Sequence, residues 1–145
     1  MYKHIIRQLL FIFPPETVHK LVVSLVKLSF KIPGAKVLFS AAFRMKDESL
    51  ERNVLGFHFS NPVGLAAGFD KNADFFNEFS SFGFSFIEIG TVTPEPQPGN
   101  SKPRLFRLLP DNALVNRMGL NNKGVNYVKS RLMHKENNGL IIGGN

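Results

Sequence analysis

Three short runs of this 145-residue chain hold the side chains best suited to chemistry. The first is Gly64-Leu65-Ala66-Ala67-Gly68-Phe69-Asp70-Lys71-Asn72. A strand ending in Ala-Ala-Gly has almost no side-chain bulk at its tip. A flat ligand can lie on such a backbone and receive its N–H groups, and Lys71 adds a fixed cation beside it. The same small residues also suit close packing of a helix on a strand, so this run alone leaves both readings open. The second run, Glu88-Ile89-Gly90-Thr91-Val92-Thr93-Pro94, closes an apolar segment with hydroxyls. In parallel α/β folds, ligands bind at such C-terminal strand tips. The third, Asn116-Arg117-Met118-Gly119-Leu120-Asn121-Asn122, offers amides and backbone N–H groups ahead of a helix. It can hold a carboxylate or simply cap the helix.

Composition narrows the classes. With 43% hydrophobic residues the chain can bury a core, which excludes wholesale disorder. Zero Cys excludes a disulfide scaffold, thiolate metal sites and a Cys nucleophile. His4, His58 and His134 lie far apart without metal-ligand spacing, so no metal site is expected. The formal net charge of +7 is uneven. Residues 1–46 carry Lys3, Arg7, Lys20, Lys27, Lys31, Lys36, Arg44 and Lys46 against Glu16 alone. Residues 47–145 carry ten charges of each sign. The basic character is therefore local, which argues against a nucleic-acid partner. Lys or Pro interrupts every apolar run before the roughly 20 residues a membrane span needs. The opening MYKHIIRQLLFIFPPE loosely mimics a signal peptide, but no small-residue cleavage site follows, so it reads as retained.

The elements that must position these runs follow from pattern. Ile5, Ile6, Leu9 and Leu10 make an apolar stripe over 3–12, ended by Pro14-Pro15. A second helix is expected over 15–31, with Lys20, Ser24, Lys27 and Lys31 on one face and Val18, Leu21, Val22, Leu25 and Leu28 on the other. A third covers 34–44. These three basic amphipathic helices can be a subdomain packed on a core, or a surface lying in a membrane interface. Residues 54–59 read as a strand pair turning at Gly56. Strands are expected at 64–68, 84–91 and 140–144, helices at 72–81 and 121–137, and a hairpin around Pro110-Asp111-Asn112. Strand–helix alternation at this spacing means parallel βαβ units. The Phe cluster at 75, 76, 79, 82, 84 and 86 is expected to be helix–strand core.

In order along the chain, Pro62 to Lys71, Ile87 to Pro94, Pro96-Gln97-Pro98-Gly99-Asn100, Lys102-Pro103-Arg104-Leu105-Phe106-Arg107 and Asn116-Arg117-Met118-Gly119 resemble the dihydroorotate dehydrogenases. The basic helical segment with Pro15-Glu16-Thr17-Val18-His19 resembles the extension of the membrane-associated, quinone-dependent class, which the soluble classes lack. The resemblance implies an α/β fold, the N-terminal part of a (β/α)8 TIM barrel with about three parallel strands. It also implies two regions: a helical membrane-associated quinone-tunnel segment at 1–46 and the first part of an FMN-binding barrel at 47–145.

The same resemblance implies that FMN is the cofactor and that Ala67, Gly68, Phe69, Asp70, Lys71, Thr91 and Asn145 lie at the flavin. It places Lys71, Asn116, Arg117, Met118, Gly119 and Leu120 at dihydroorotate or orotate; many members carry Phe where this chain has Leu120. His19 and Arg107 match residues lining the quinone tunnel. The expected reaction oxidises dihydroorotate to orotate in pyrimidine (UMP) biosynthesis, with a membrane quinone as final acceptor. A base takes the C5 proton while hydride leaves C6 for the flavin. In this class the base is a Ser on a later loop, expected beyond Asn145, so no catalytic base is assigned here and the chain reads as an incomplete fragment. The expected setting is peripheral, on the cytoplasmic face of a bacterial inner membrane, with an anionic surface as partner. The alternative is a non-catalytic membrane-surface binding module; Lys71 and Asn116 discriminate, because a lipid-binding module has no need of them.

Overall fold

A computed structural model describes residues 2–136 and 139–145. The expected first helix begins with a π turn over Tyr2–Ile6 and continues as α1 (Arg7–Phe11). Pro14 caps α2 (Pro15–Ser29) from an extended conformation, with Pro15 in the first turn where its missing N–H is no loss. Gly34, at φ +86°, turns the chain into α3 (Ala35–Phe43). The strand pair is β1 (Arg52–Val54) and β2 (Phe57–Phe59), antiparallel with Val54 opposite Phe57. Leu55 and Gly56 both have positive φ, the geometry that a two-residue turn demands.

Three strands form the parallel sheet: β3 (Gly64–Leu65), β4 (Phe86–Ile89) and, last in the chain, β7 (Ile141–Gly144), in the order β3-β4-β7. Register pairs Leu65 with Ile87 and Ile87 with Ile142. Between β4 and β7 stand the antiparallel hairpin β5 (Leu105–Leu108) and β6 (Ala113–Asn116), then helix α5 (Val125–Leu132). A short helix α4 (Phe76–Phe79) runs into a 3-10 turn at Ser80–Phe82 and lies between β3 and β4 in sequence. The architecture is α/β with the parallel strand order of a partial barrel.

The expected elements differ in extent. The strand expected over 64–68 stops at Leu65, and that over 84–91 runs only from Phe86 to Ile89. The helix expected over 72–81 starts only at Phe76. Asp70 is the reason: its carboxylate accepts the amides of Asp74 (2.7 Å) and Phe75 (3.0 Å) while Ala73 sits at φ +54°, so 71–75 close a turn instead of a helix. The helix expected over 121–137 starts at Val125, because Asn122 makes a bridge with Gln97 and Gly124 takes φ +80°. The end of that range, Asn137, lies outside the described residues.

The core lies between sheet and helices: Phe75, Phe76, Phe79, Ile87, Ile89, Val128 and Leu140, with Val23 from α2. Of the Phe cluster, Phe75, Phe76 and Phe79 are core, Phe82 and Phe84 pack against it partly buried, and Phe86 meets the Phe59 ring instead. Phe30 and α3's Phe39 and Phe43 add an aromatic stack on Phe82, which docks α3 against the 3-10 turn. Gly83 permits this: at φ +84°, a Cβ there would lie 2.5 Å from the Phe43 carbonyl oxygen.

On α2 the apolar stripe does not pack on the core. Leu21, Val22, Leu25 and Leu28 point outward, while Val23 and Val26 pack inward and Lys20, Ser24 and Lys27 line a cavity. Ile5, Leu9, Ile12, Ile32, Val37 and Leu38 are exposed as well. The outer surface of all three N-terminal helices is therefore rich in apolar side chains. Among the described residues no helix is long and apolar enough to cross a membrane.

Candidate functional site at the strand tips

The C-terminal ends of the three parallel strands meet through main-chain bonds. The Gly68 amide donates to Gly90 O (2.9 Å), the Val92 amide to Asn145 O (2.8 Å), and the Asn145 amide to Ile89 O (3.0 Å). Gly90, at φ +110°, is required at this crossing, since a Cβ would sit 2.4 Å from Asn145 O. At Gly68 and Gly144 the space a Cβ would take is open, so the rim presents bare backbone. Thr91 donates its hydroxyl to the Asn145 side-chain carbonyl, and the Asn145 amide donates to Glu88 (3.0 Å). The Asn145 side chain is thus pinned at both ends.

A cavity of about 700 Å³ opens beside this rim. His19, Gly68, Phe69, Asp70, Lys71, Asn116 and Met118, which are far apart in sequence, all line it. Lys71 reaches across it and donates to Asn121 Oδ1 (2.7 Å) and Gly119 O (3.2 Å). Burial pushes the Lys71 ammonium below the ordinary lysine pKa, the nearby Arg104 charge adds to this, and Glu16 opposes it. Such a half-buried cation is poised for an anionic partner. Asp70 is buried and occupied with the Asp74 and Phe75 amides; burial raises its pKa, against those bonds. Asn116 ends β6 and accepts the Met118 amide (2.9 Å), which curls the 116–120 loop. Arg117 donates to Pro103 O (3.1 Å), and Leu120 is exposed. His19 sits edge-on to Phe69 at 4.7 Å, and burial lowers its pKa.

Arg107 lies elsewhere. It donates to Phe13 O (2.6 Å), stands 4.3 Å over the Phe11 ring, and lines a second cavity of about 900 Å³ with Arg7, Gln8 and Ile12. The two cavities share Pro15 and Leu114, so they adjoin although His19 and Arg107 line different ones. Thr91 and Asn145 line neither; they belong to the rim.

A sequence profile described as dihydroorotate dehydrogenase matches residues 49–143. The chain belongs to the dihydroorotate dehydrogenase family. A dihydroorotate dehydrogenase (quinone) from Christiangramia forsetii is 55% identical over 145 residues, which is all of this chain and 42% of that protein. One from Pseudomonas aeruginosa is 49% identical over 93% of this chain and 38% of its own length. The chain thus spans about two fifths of the curated relatives it matches. Among solved structures, the Eimeria tenella DHODH in complex with ferulenol superposes with a TM-score of 0.73 at 38% identity, covering 90% of this chain and 35% of that one. These are TIM-barrel enzymes, and the three-stranded parallel sheet agrees with a portion of such a barrel.

Three participants were not among the site residues read from the sequence. Asn121 anchors Lys71, Glu88 orients Asn145, and Arg104 pairs with Glu16 beside the cavity. All three fall within runs singled out in the sequence; the Glu16–Arg104 pairing spans 88 positions and leaves no local signal.

Proposed function

We propose that this chain serves in the oxidation of dihydroorotate to orotate, a step of pyrimidine (UMP) biosynthesis, with FMN as hydride acceptor and a membrane quinone as final acceptor. The observation that carries the reading is Lys71, held by Gly119 and Asn121 in the cavity that also contains Asn116 and His19. The residues present fit a flavin: bare backbone at Gly68 and Gly144, Ala67 beside it, and the pinned Asn145 amide with Thr91 on the rim. When bound, FMN would supply the acceptor for the hydride leaving C6 of the substrate.

The chain's own residues position and polarise. Lys71 is an ammonium fixed by Gly119 and Asn121 that would stabilise negative charge on a bound substrate or on reduced flavin. The Asn116 amide offers donor and acceptor to an imide-like edge. Of the loop 116–120, Asn116 and Met118 line the cavity and would touch the substrate, with Arg117, Gly119 and Leu120 beside them, and Phe69 packs edge-on against His19 in the same cavity. Asp70 shapes the turn that presents Lys71. His19 and Arg107 would face the quinone from the two adjoining cavities. No base for the C5 proton is assigned within residues 1–145.

We read residues 1–46 as the membrane-associating, quinone-side region and 47–145 as the opening portion of the barrel. The outward apolar side chains of α1 to α3, among them Ile12, Leu25, Leu28 and Leu38, support peripheral attachment to a membrane surface. Lys31 and Lys46, exposed just beyond the ends of α2 and α3, would suit anionic headgroups, each contributing up to about 1 kcal/mol. The cytoplasmic face of a bacterial inner membrane is the proposed location. Giving the full-length protein dihydroorotate and a short-chain quinone tests the reading; absence of orotate formation together with absence of a yellow flavin on purification rejects it.

A further inference from the structure

Arg104 uses its guanidinium on two sides at once. Nε and Nη2 donate to the Glu16 carboxylate at 3.1 and 2.9 Å, while Nη1 donates to Pro98 O (2.9 Å) and Asn100 O (3.1 Å). The side chain is 7% exposed and Glu16 is 16% exposed, so this fork-on-fork pair is largely shielded from water. Glu16 stands in the first turn of α2, one turn before His19. Hydrogen bonds from Arg104 hold its carboxyl below the ordinary glutamate range.

The two carbonyls on the other side belong to the segment that braces the 116–120 loop. The Asn100 amide donates to Met118 O (3.0 Å), and its side-chain nitrogen donates to Arg117 O (2.7 Å). The Arg117 amide returns a bond to Arg104 O (2.9 Å). Gly99, at φ +73°, lets the two segments touch, since a Cβ there would lie 2.3 Å from Met118 O. One residue further, Gly119 O receives Lys71. An unbroken series of short contacts therefore runs from the start of α2 to the cavity cation.

We infer that Arg104 is a positioning residue that ties the seating of the N-terminal helices to the shape of the 116–120 loop. It is too engaged to touch a ligand. Its planar fork satisfies Glu16 and both loop carbonyls together, and a lysine, a point charge on a flexible stem, cannot span them. When Glu16 lets go, the fork is free to rotate and the Pro98–Asn100 segment loses its fixed donors. The quinone-side helix thereby sets how firmly the loop on the substrate side is held. This last step rests on the proposed reading of the loop; the link between Glu16 and the loop does not.

Amide hydrogen exchange on the full-length protein tests it. Glu16→Gln should speed exchange at Asn100 and Arg117 by about tenfold, leaving the β5–β6 ladder unchanged. Arg104→Lys should do the same or more. Val23→Ala, which loosens the packing of α2 without touching the pair, should not single out these amides. In turnover, Glu16→Gln should raise KM for dihydroorotate about three- to tenfold with kcat within about twofold. Exchange at Asn100 unchanged in Glu16→Gln, or raised only as uniformly as in Val23→Ala, overturns the inference. Local acceleration in a protein that never oxidises dihydroorotate would sustain the link and sink the proposed function instead. Should Arg104→Lys fail to fold, Glu16→Gln alone decides.

Discussion

Replacing Lys71 by Met keeps the stem of the side chain and removes its ammonium. Two acceptors then lose their donor: Asn121 Oδ1 at 2.7 Å and Gly119 O at 3.2 Å. A hydrogen bond involving a charged group contributes about 1.5–3 kcal/mol. The longer bond ends on an exposed residue that water can serve, so only the Asn121 bond counts in full. Against it stands the desolvation of the ammonium, which already depresses its pKa. The opposing effects leave the stability of the ligand-free protein within about 1 kcal/mol of wild type. Ligand binding should respond otherwise. Removing one member of a shielded charge pair costs about 2 kcal/mol or more, which corresponds to about thirtyfold in Kd. Calorimetric titration of full-length wild type and Lys71→Met with orotate, beside urea unfolding of both, measures the two quantities. A variant that binds orotate as well as wild type, or that unfolds several kcal/mol early, refutes the assignment of Lys71 to the ligand.

Three further outcomes follow from particular contacts. Gly83→Ala forces a Cβ to within 2.5 Å of Phe43 O at φ +84°, and should destabilise the fold by about 1–3 kcal/mol in urea unfolding. Leu25→Glu and Leu28→Glu, on side chains 56% and 60% exposed, should leave that stability within about 0.5 kcal/mol while weakening co-sedimentation with phosphatidylglycerol vesicles about tenfold or more. Acid should loosen α2 in two stages. His19 and Glu16 both have folded pKa values below their ordinary 6.5 and 4.5, so each contributes stability that is complete above those values and lost as pH falls through the lower folded one. The protection of α2 amides, taken against the intrinsic exchange rate at each pH, should therefore fall first below pH 6.5 and again below 4.5, and His19→Gln should abolish only the first stage.

Much of the architecture could be read from local pattern because the deciding interactions are local. Leu55-Gly56 announces its hairpin, Pro14-Pro15 its helix boundary, and Phe76 with Phe79 the core face of α4. The shortened helix at 72–81 shows where pattern fails: the amide acceptor that unwinds its first turn is the carboxylate of Asp70, a side chain that periodicity does not weigh. The orientation of α2 was equally hidden. Its apolar stripe leaves open a face packed on the core or a surface lying in a membrane interface, and pattern cannot decide, because Val23 and Val26 supply the inward contact from between the lysines. At the site, residues sharing one strand tip or loop were visible as runs. The meeting of His19 with Gly68 and Asn116, and of Glu16 with Arg104, arises only when separate segments pack.

Beside the side-chain bonds of Asn145, three joints among the strand ends use peptide groups alone: Gly68 to Gly90, Val92 to Asn145, Asn145 to Ile89. Exchange of the neighbouring side chains leaves every one of those donors and acceptors in place. The scaffold is thereby decoupled from its lining, so chemical retooling of the mouth can proceed position by position without rebuilding the frame. Gly90 is the keystone of that freedom, since even a methyl group there would push the ends of β4 and β7 away from each other.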